Sequence, residues 1–250
     1  MTSVKSYKEL KRLAKERIGG TPVENDVRKA ITEPEIKAAL IGDTATQFLA
    51  TAILGAGVEH NLNIRLYEAG YNQVEQQVEN PTSELFAFAP EYIIVFQSTH
   101  KLLQKYNCYE QEQRRGLAEE RIAFVEKVCA TFPNSRIIYY NYPETDDRVW
   151  GSYGNRIEES FIYQLRKLNF ELMNLAQRFG NLFICDVVSV QNTVGRQRIF
   201  HSSQYVSADM VFSMEAVPIV AERTIDIISA CVGRIHKCLI LDLDNTLWGG

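Results

Sequence analysis

The sequence predicts an α/β fold, a doubly wound parallel sheet of five strands with helices on both faces. Three observations lead there. Five short runs, at 36–41, 64–67, 92–96, 136–140 and 182–185, are largely apolar and rich in β-branched or aromatic residues. Their apolar character is nearly continuous, as expected of strands covered on both faces. Longer stretches with helical periodicity separate them, and strands alternating with helices form βαβ units around a parallel sheet.

The elements follow in chain order. Residues 5–18 place Leu10, Leu13 and Ile18 among basic residues, a short amphipathic helix stopped by Gly19-Gly20 and Pro22 and expected to pack outside the core. The strand at 36–41 closes on Gly42-Asp43-Thr44, and an apolar helix then runs towards His60. The second strand ends at Glu68-Ala69-Gly70, and Tyr92–Phe96 is the third. Ala118, Ile122, Val125 and Val128 mark a helix over 118–129, ahead of the fourth strand. Ile157, Phe161, Leu165, Leu168, Leu172, Leu175 and Phe179 keep one apolar face over 157–179, ahead of the fifth strand. After Pro218, the set Val220, Ala221, Thr224, Ile227, Ile228 and Cys231 makes the last long helix before Gly233. The chain thus divides into an N-terminal helical segment (1–35), a flavodoxin-like α/β domain (36–233) and the start of a further domain (234–250). It holds no internal repeat and no low-complexity tract.

Composition narrows the function classes. A chain of 250 residues can bury a sizeable core. A net charge of −4 without a basic run gives no footprint for nucleic acid. Five cysteines, odd in number and without a Cys-x-x-Cys pair, read as reduced thiols rather than a disulfide framework. The N-terminus lacks the apolar core of a secretory signal. No apolar run approaches the roughly 18 residues of a membrane span. The expectation is a cytoplasmic protein that engages neither nucleic acid nor membrane.

The chemistry-bearing run is the last, Lys237-Cys-Leu-Ile-Leu-Asp-Leu-Asp-Asn-Thr-Leu-Trp-Gly-Gly250. Residues two apart on a strand share a face, so Asp242 and Asp244 can reach one centre beyond the apolar run. This run resembles the nucleophile motif of the haloacid dehalogenase superfamily, Asp-x-Asp-x-Thr after a hydrophobic strand. The longer string Asp242-Leu-Asp-Asn-Thr-Leu-Trp-Gly-Gly250 resembles its FkbH-like branch. The resemblance implies that Asp242 attacks phosphorus and forms an aspartyl phosphate, splitting one displacement into two. It implies that Asp244 protonates the leaving group and that Mg2+ is held by Asp242 and Asp244. Asn245 and Thr246 would contact substrate, with Thr246 orienting Asp244, and Trp248-Gly249-Gly250 would begin a flap. The family's remaining Ser or Thr, Lys and acidic pair are expected beyond residue 250. The chain is therefore read as a fragment, inert towards phosphate esters by itself.

The rim of the α/β domain carries a second resemblance. Ligands in such sheets sit at the carboxyl ends of the strands. There Gly42-Asp43-Thr44, Gly70, Ser98-Thr99-His100, the segment 141–155 and Asp186 line up in an order that resembles the SGNH (GDSL-type) hydrolases. Asp43, Thr44 and Gly70 are the candidate ligand-binding residues, with Thr44 where the family has its nucleophilic Ser and Gly70 as an oxyanion donor. The third block's Asn is missing from Gln97-Ser98-Thr99-His100. None of the four histidines (60, 100, 201, 236) follows an Asp by three, as the last block Asp-x-x-His requires. A hydroxyl nucleophile without an oriented base is weak, and Asp43 and Thr44 also suit a turn and helix cap. The passage Tyr71 to Pro90 is similar to one that FkbH-like proteins carry ahead of the third strand. The aromatic loop 139–156 is long enough to cover a ligand or meet another domain. His201 is expected at the surface.

Three functions follow. The first is a Mg-dependent phosphatase or phosphotransferase of the FkbH-like type, acting on a phosphorylated small molecule; for some members, the resemblance implies transfer to an acyl carrier protein. The second is a non-catalytic module, residues 36–233 binding substrate or carrier protein. The third is a residual SGNH esterase.

Overall fold

The structure, a computed structural model, describes residues 4–18, 34–145 and 147–234. Five strands, β1 (Glu35–Gly42), β2 (Asn63–Glu68), β3 (Tyr92–Phe96), β4 (Arg136–Tyr140) and β5 (Leu182–Cys185), form one sheet in the order β2-β1-β3-β4-β5. Every pair is parallel; Ala38 lies opposite Tyr92 on β3, and Ile36 opposite Ile64 on β2. The chain passes from β1 outward to β2, then crosses back to β3 on the other side of β1. That reversal opens a crevice between the ends of β1 and β3, where open α/β sheets take ligands.

Strand periodicity builds two cores. Ala38 and Leu40 of β1, Ile94 and Phe96 of β3 and Tyr140 of β4 point to one face. Ala39 and Ile41, Ile93 and Val95, and Ile137 and Tyr139 point to the other. The first face is covered by helices Gln47–Glu59, Val187–Val194 and Ala216–Cys231. The second is covered by helices Val74–Glu79, Glu84–Phe88, Thr99–Cys108, Leu117–Thr131 and Phe161–Arg178.

Four details differ from the sequence reading. The helix expected over 157–179 begins at Phe161, because Ser160 caps it by accepting from the Tyr163 amide at 3.2 Å. Ile157 instead closes a 3-10 helix, Gly151–Arg156, inside the segment read as loop. The last helix starts at Ala216, two residues before Pro218, whose missing N–H is harmless in a first turn. The N-terminal helix Tyr7–Ile18 does not merely ride outside: Leu10 and Ala14 are buried, and Leu10 belongs to the first core. A methyl built on Gly55 would lie 2.2 Å from the Leu10 carbonyl oxygen, so this docking depends on glycine. Among the described residues no helix is long and apolar enough to cross a membrane. Cys108, Cys129, Cys185 and Cys231 are free thiols.

Candidate functional site: the carboxyl rim

Each strand delivers a polar group to the rim. The Asp43 amide donates to the Phe96 carbonyl at 3.2 Å, extending the β1–β3 ladder by one rung. This brings the Asp43 carboxylate onto the Ser98 amide, which donates to its two oxygens at 3.0 and 2.9 Å. Ser98 caps the helix Thr99–Cys108 by accepting from Lys101 N. Asp43 is 7% exposed, and burial pushes its carboxyl up to about 7, against the pull of the Ser98 hydrogen bonds and of Arg121 and Lys101.

Beside Asp43 lies a cleft of about 140 Å³, lined by Asp43, Asn72, Glu75, Gln97, Ser98, Lys101, Leu102, Lys105, Arg121 and Tyr142. A buried polar network forms its floor. Gln97 Oε1 accepts from Arg121 Nη1 at 2.9 Å and from the Tyr139 hydroxyl at 2.8 Å. Gln97 Nε2 donates to Glu75 at 3.2 Å, and the hydroxyls of Tyr139 and Tyr142 lie 2.6 Å apart. At the cleft edge Lys101 Nζ donates to the Tyr71 hydroxyl at 3.1 Å and pairs with Asp209 at 3.5 Å. A larger open hollow of about 670 Å³, beside Glu110, Arg115 and Glu159, lies away from these rim groups. Its Arg115 is already paired with Glu159.

The sequence-predicted residues are distributed unevenly. Asp43 lines the cleft. Thr44, next to it, is 1% exposed, and its hydroxyl has no hydrogen-bond partner. Gly70 is exposed and does not line the cleft, whereas Asn72, two residues on, does. Asp242, Asp244, Asn245 and Thr246 lie outside the described residues. Within the long aromatic segment Tyr139, Tyr140 and Tyr142 are fully buried, while Val149, Trp150 and Tyr153 are exposed.

No described histidine serves Thr44. His60 is bonded to Glu222 at 2.8 Å. His100 stacks on Phe200 at 4.0 Å between ring centroids, and burial, helped by the nearby Arg196 charge, pushes its imidazole down to about 4. It is neutral at pH 7, with Nδ1 buried and unpartnered. His201 is exposed, and His236 lies outside the described residues.

Two features escaped the sequence reading. The cleft's buried cation is Arg121, on a helix identified only by its apolar positions. The other is the run Asp209-Met210-Val211-Phe212, overlooked because the search began from histidines. The Ala45 amide donates to the Asp209 carbonyl at 3.1 Å, which brings this run beside Thr44. Phe212 stands three after the aspartate, where Asp-x-x-His would have its base. It is 4% exposed and stacks on Phe96 at 4.7 Å. A phenyl ring accepts no proton, so hydroxyl activation is not provided here.

Comparison with solved structures places this fold among SGNH-type hydrolases. A lipase/acylhydrolase from Enterococcus faecalis superposes with a TM-score of 0.55 at 14% identity, covering 78% of this chain and 96% of that one. The Clostridium thermocellum family 3 carbohydrate esterase gives 0.53 at 14% identity, covering 79% and 99%. At such identities the likeness concerns the fold alone. The chain belongs to the FkbH N-terminal domain family, whose model matches residues 37–229. It is also similar to the N-terminal part of a Bacteroides fragilis protein containing a phosphatase domain complexed with Mg. That match has 48% identity and a TM-score of 0.89, covers 98% of this chain and spans 62% of the solved one. No curated protein matches the chain.

Proposed function

We propose that the whole protein is a Mg-dependent phosphoryl-transfer enzyme of the haloacid dehalogenase type, with residues 36–233 acting as a ligand-recognition module. One observation carries this reading. An Asp242-x-Asp-x-Thr246 run directly follows a domain of the FkbH family, and the B. fragilis protein similar over 98% of this chain contains a phosphatase domain. Asp242 is the nucleophile towards phosphorus and Asp244 the general acid for the leaving group. Asn245 and Thr246 contact the substrate, a phosphorylated small molecule. An acyl carrier protein is the partner to test, as acceptor of the transferred group.

Among the described residues no group of three or more His, Cys, Asp or Glu is placed to hold a metal. The Mg2+ belongs instead with Asp242 and Asp244, whose hard carboxylate oxygens suit it. When bound, it supplies charge neutralisation at the phosphoryl oxygens.

The recognition role of residues 36–233 is supported by what the rim holds: a polar cleft beside Asp43, and Phe212 in place of a base. An esterase role lacks that support. The test is Asp242→Asn in the whole protein, which keeps the side chain's shape and removes the nucleophile. Turnover of phosphorylated substrates should vanish while the circular dichroism and melting curve persist. Normal turnover at saturating Mg2+ would overturn the proposal.

A further inference from the structure

We infer that the cleft between the ends of β1 and β3 binds a small oxyanion group, a carboxylate or a phosphate, held by Arg121, Lys101 and Lys105. This deepens the recognition role proposed for residues 36–233 but does not depend on phosphoryl chemistry at Asp242.

The argument begins with Arg121. Its residue is only 8% exposed, and its Nε is buried without a partner. Burying a guanidinium is costly unless it is paired and its donors are satisfied. Here the hydrogen bond is to a neutral amide, Gln97, at 2.9 Å. The carboxylate beside it, Glu75, forms an ion pair at 3.6 Å from a side chain 51% exposed, a distance too long for a hydrogen bond. A further contact is the face of Phe124, 5.3 Å from the guanidinium carbon to the ring centroid. A charge held this way, at a strand-end crevice, is poised for a ligand that brings its own negative charge.

The surroundings agree. Lys101, paired with Asp209, and Lys105, paired with Glu120, line the same cleft, and so does Ser98 at the N-terminus of the helix Thr99–Cys108, the positive end of its dipole. Asp43 and Glu75 are the opposing acids of the lining, and burial raises the Asp43 carboxyl to about 7, which lessens its charge at neutral pH. The volume of about 140 Å³ far exceeds the roughly 10–15 Å³ that one water needs. Arginine's planar fork matches both carboxylate and phosphate.

The experiment titrates the isotopically labelled 250-residue chain with inorganic phosphate and with acetate, at constant ionic strength, following the Arg121 Nε–H and Ser98 amide resonances by NMR. Neutral glycerol is the control. A saturable shift of both resonances with either anion is expected. Response to phosphate alone assigns a phosphoryl ligand, to acetate alone a carboxylate, and to both a site that reads the shared oxyanion. Lys101→Ala, at a partly exposed position, should weaken the response at least tenfold. Arg121→Gln should abolish the Ser98 shift if it folds; Lys101→Ala keeps the test decisive if it does not. Lys127→Ala, on the same helix as Arg121 but paired with Glu79 outside the cleft, should change nothing. No saturation with either anion, an equal shift with glycerol, or equal weakening by Lys127→Ala overturns the inference. Loss of binding here with phosphoryl turnover intact would reject this cleft alone. Binding here without turnover would reject only the phosphoryl proposal.

Discussion

Asp43→Asn tests how the rim holds its charge. Asp43 is 7% exposed and its pKa rises from 3.8 to about 7, burial outweighing the Ser98 hydrogen bonds and the attraction of Arg121 and Lys101. A carboxyl with a raised folded pKa binds its proton more tightly when folded. Its contribution to stability is therefore full below about pH 4 and is lost as pH rises through 7. At about 1.4 kcal/mol per pH unit, the ceiling on that loss is about 4 kcal/mol. Asparagine keeps an oxygen to accept from the Ser98 amide, 2.9–3.0 Å from the carboxylate now, and carries no charge to bury. The variant should match the native chain below about pH 4, gain on it as pH rises, and exceed its stability by up to about 4 kcal/mol at pH 8 in urea unfolding. Carbon-detected NMR should show the Asp43 carboxyl titrating near 7. Titration below pH 5, or a variant no more stable at pH 8 than at pH 5 relative to the native chain, would refute the reasoning.

Three further outcomes are expected. Gly55→Ala places a methyl 2.2 Å from the backbone oxygen of Leu10, so the Tyr7–Ile18 helix must shift; unfolding should show a loss of about 1–3 kcal/mol, with faster hydrogen exchange in that helix. Unchanged exchange there would mean that the helix does not dock on Gly55. Thr44→Val exchanges a buried, unpartnered hydroxyl for a methyl and should be neutral or stabilising by about 1 kcal/mol; hydrolysis of short aryl esters that this change abolishes would reinstate Thr44 as a nucleophile. His60 is pulled above its ordinary pKa mainly by its hydrogen bond to Glu222, a contribution present below the unfolded value and lost as pH rises through the folded one. Glu222→Gln should lower the His60 pKa in an NMR titration and flatten that part of the stability profile, and an unmoved pKa would show that the contact is absent in solution.

The sheet was legible in the sequence because buried parallel strands are locally marked. Runs such as Tyr92-Ile-Ile-Val-Phe96 are apolar throughout, and their boundaries match the structure within a residue or so. The helix ends were less legible. Ile157 continues the apolar spacing of its helix, yet Ser160 supplies a cap and starts the helix at Phe161. Periodicity reports which face is buried, whereas a cap is decided by one hydrogen bond that the spacing does not encode.

The sequence by itself determined the fold class, the strand ends where Asp43 and Thr44 would stand, and the pair Asp242 and Asp244 on which the proposed chemistry rests. These are local matters: strand periodicity, turn residues and a contiguous motif each act within a few positions. Only the tertiary structure decided that Arg121 and Gln97, 24 residues apart, share the crevice with Asp43. It alone set Phe212 beside the rim through the Ala45–Asp209 hydrogen bond. It also decided that Asn72, rather than Gly70, faces the cleft. Such juxtapositions come from the order in which strands pair and helices cross between them, and no single stretch of residues carries that order.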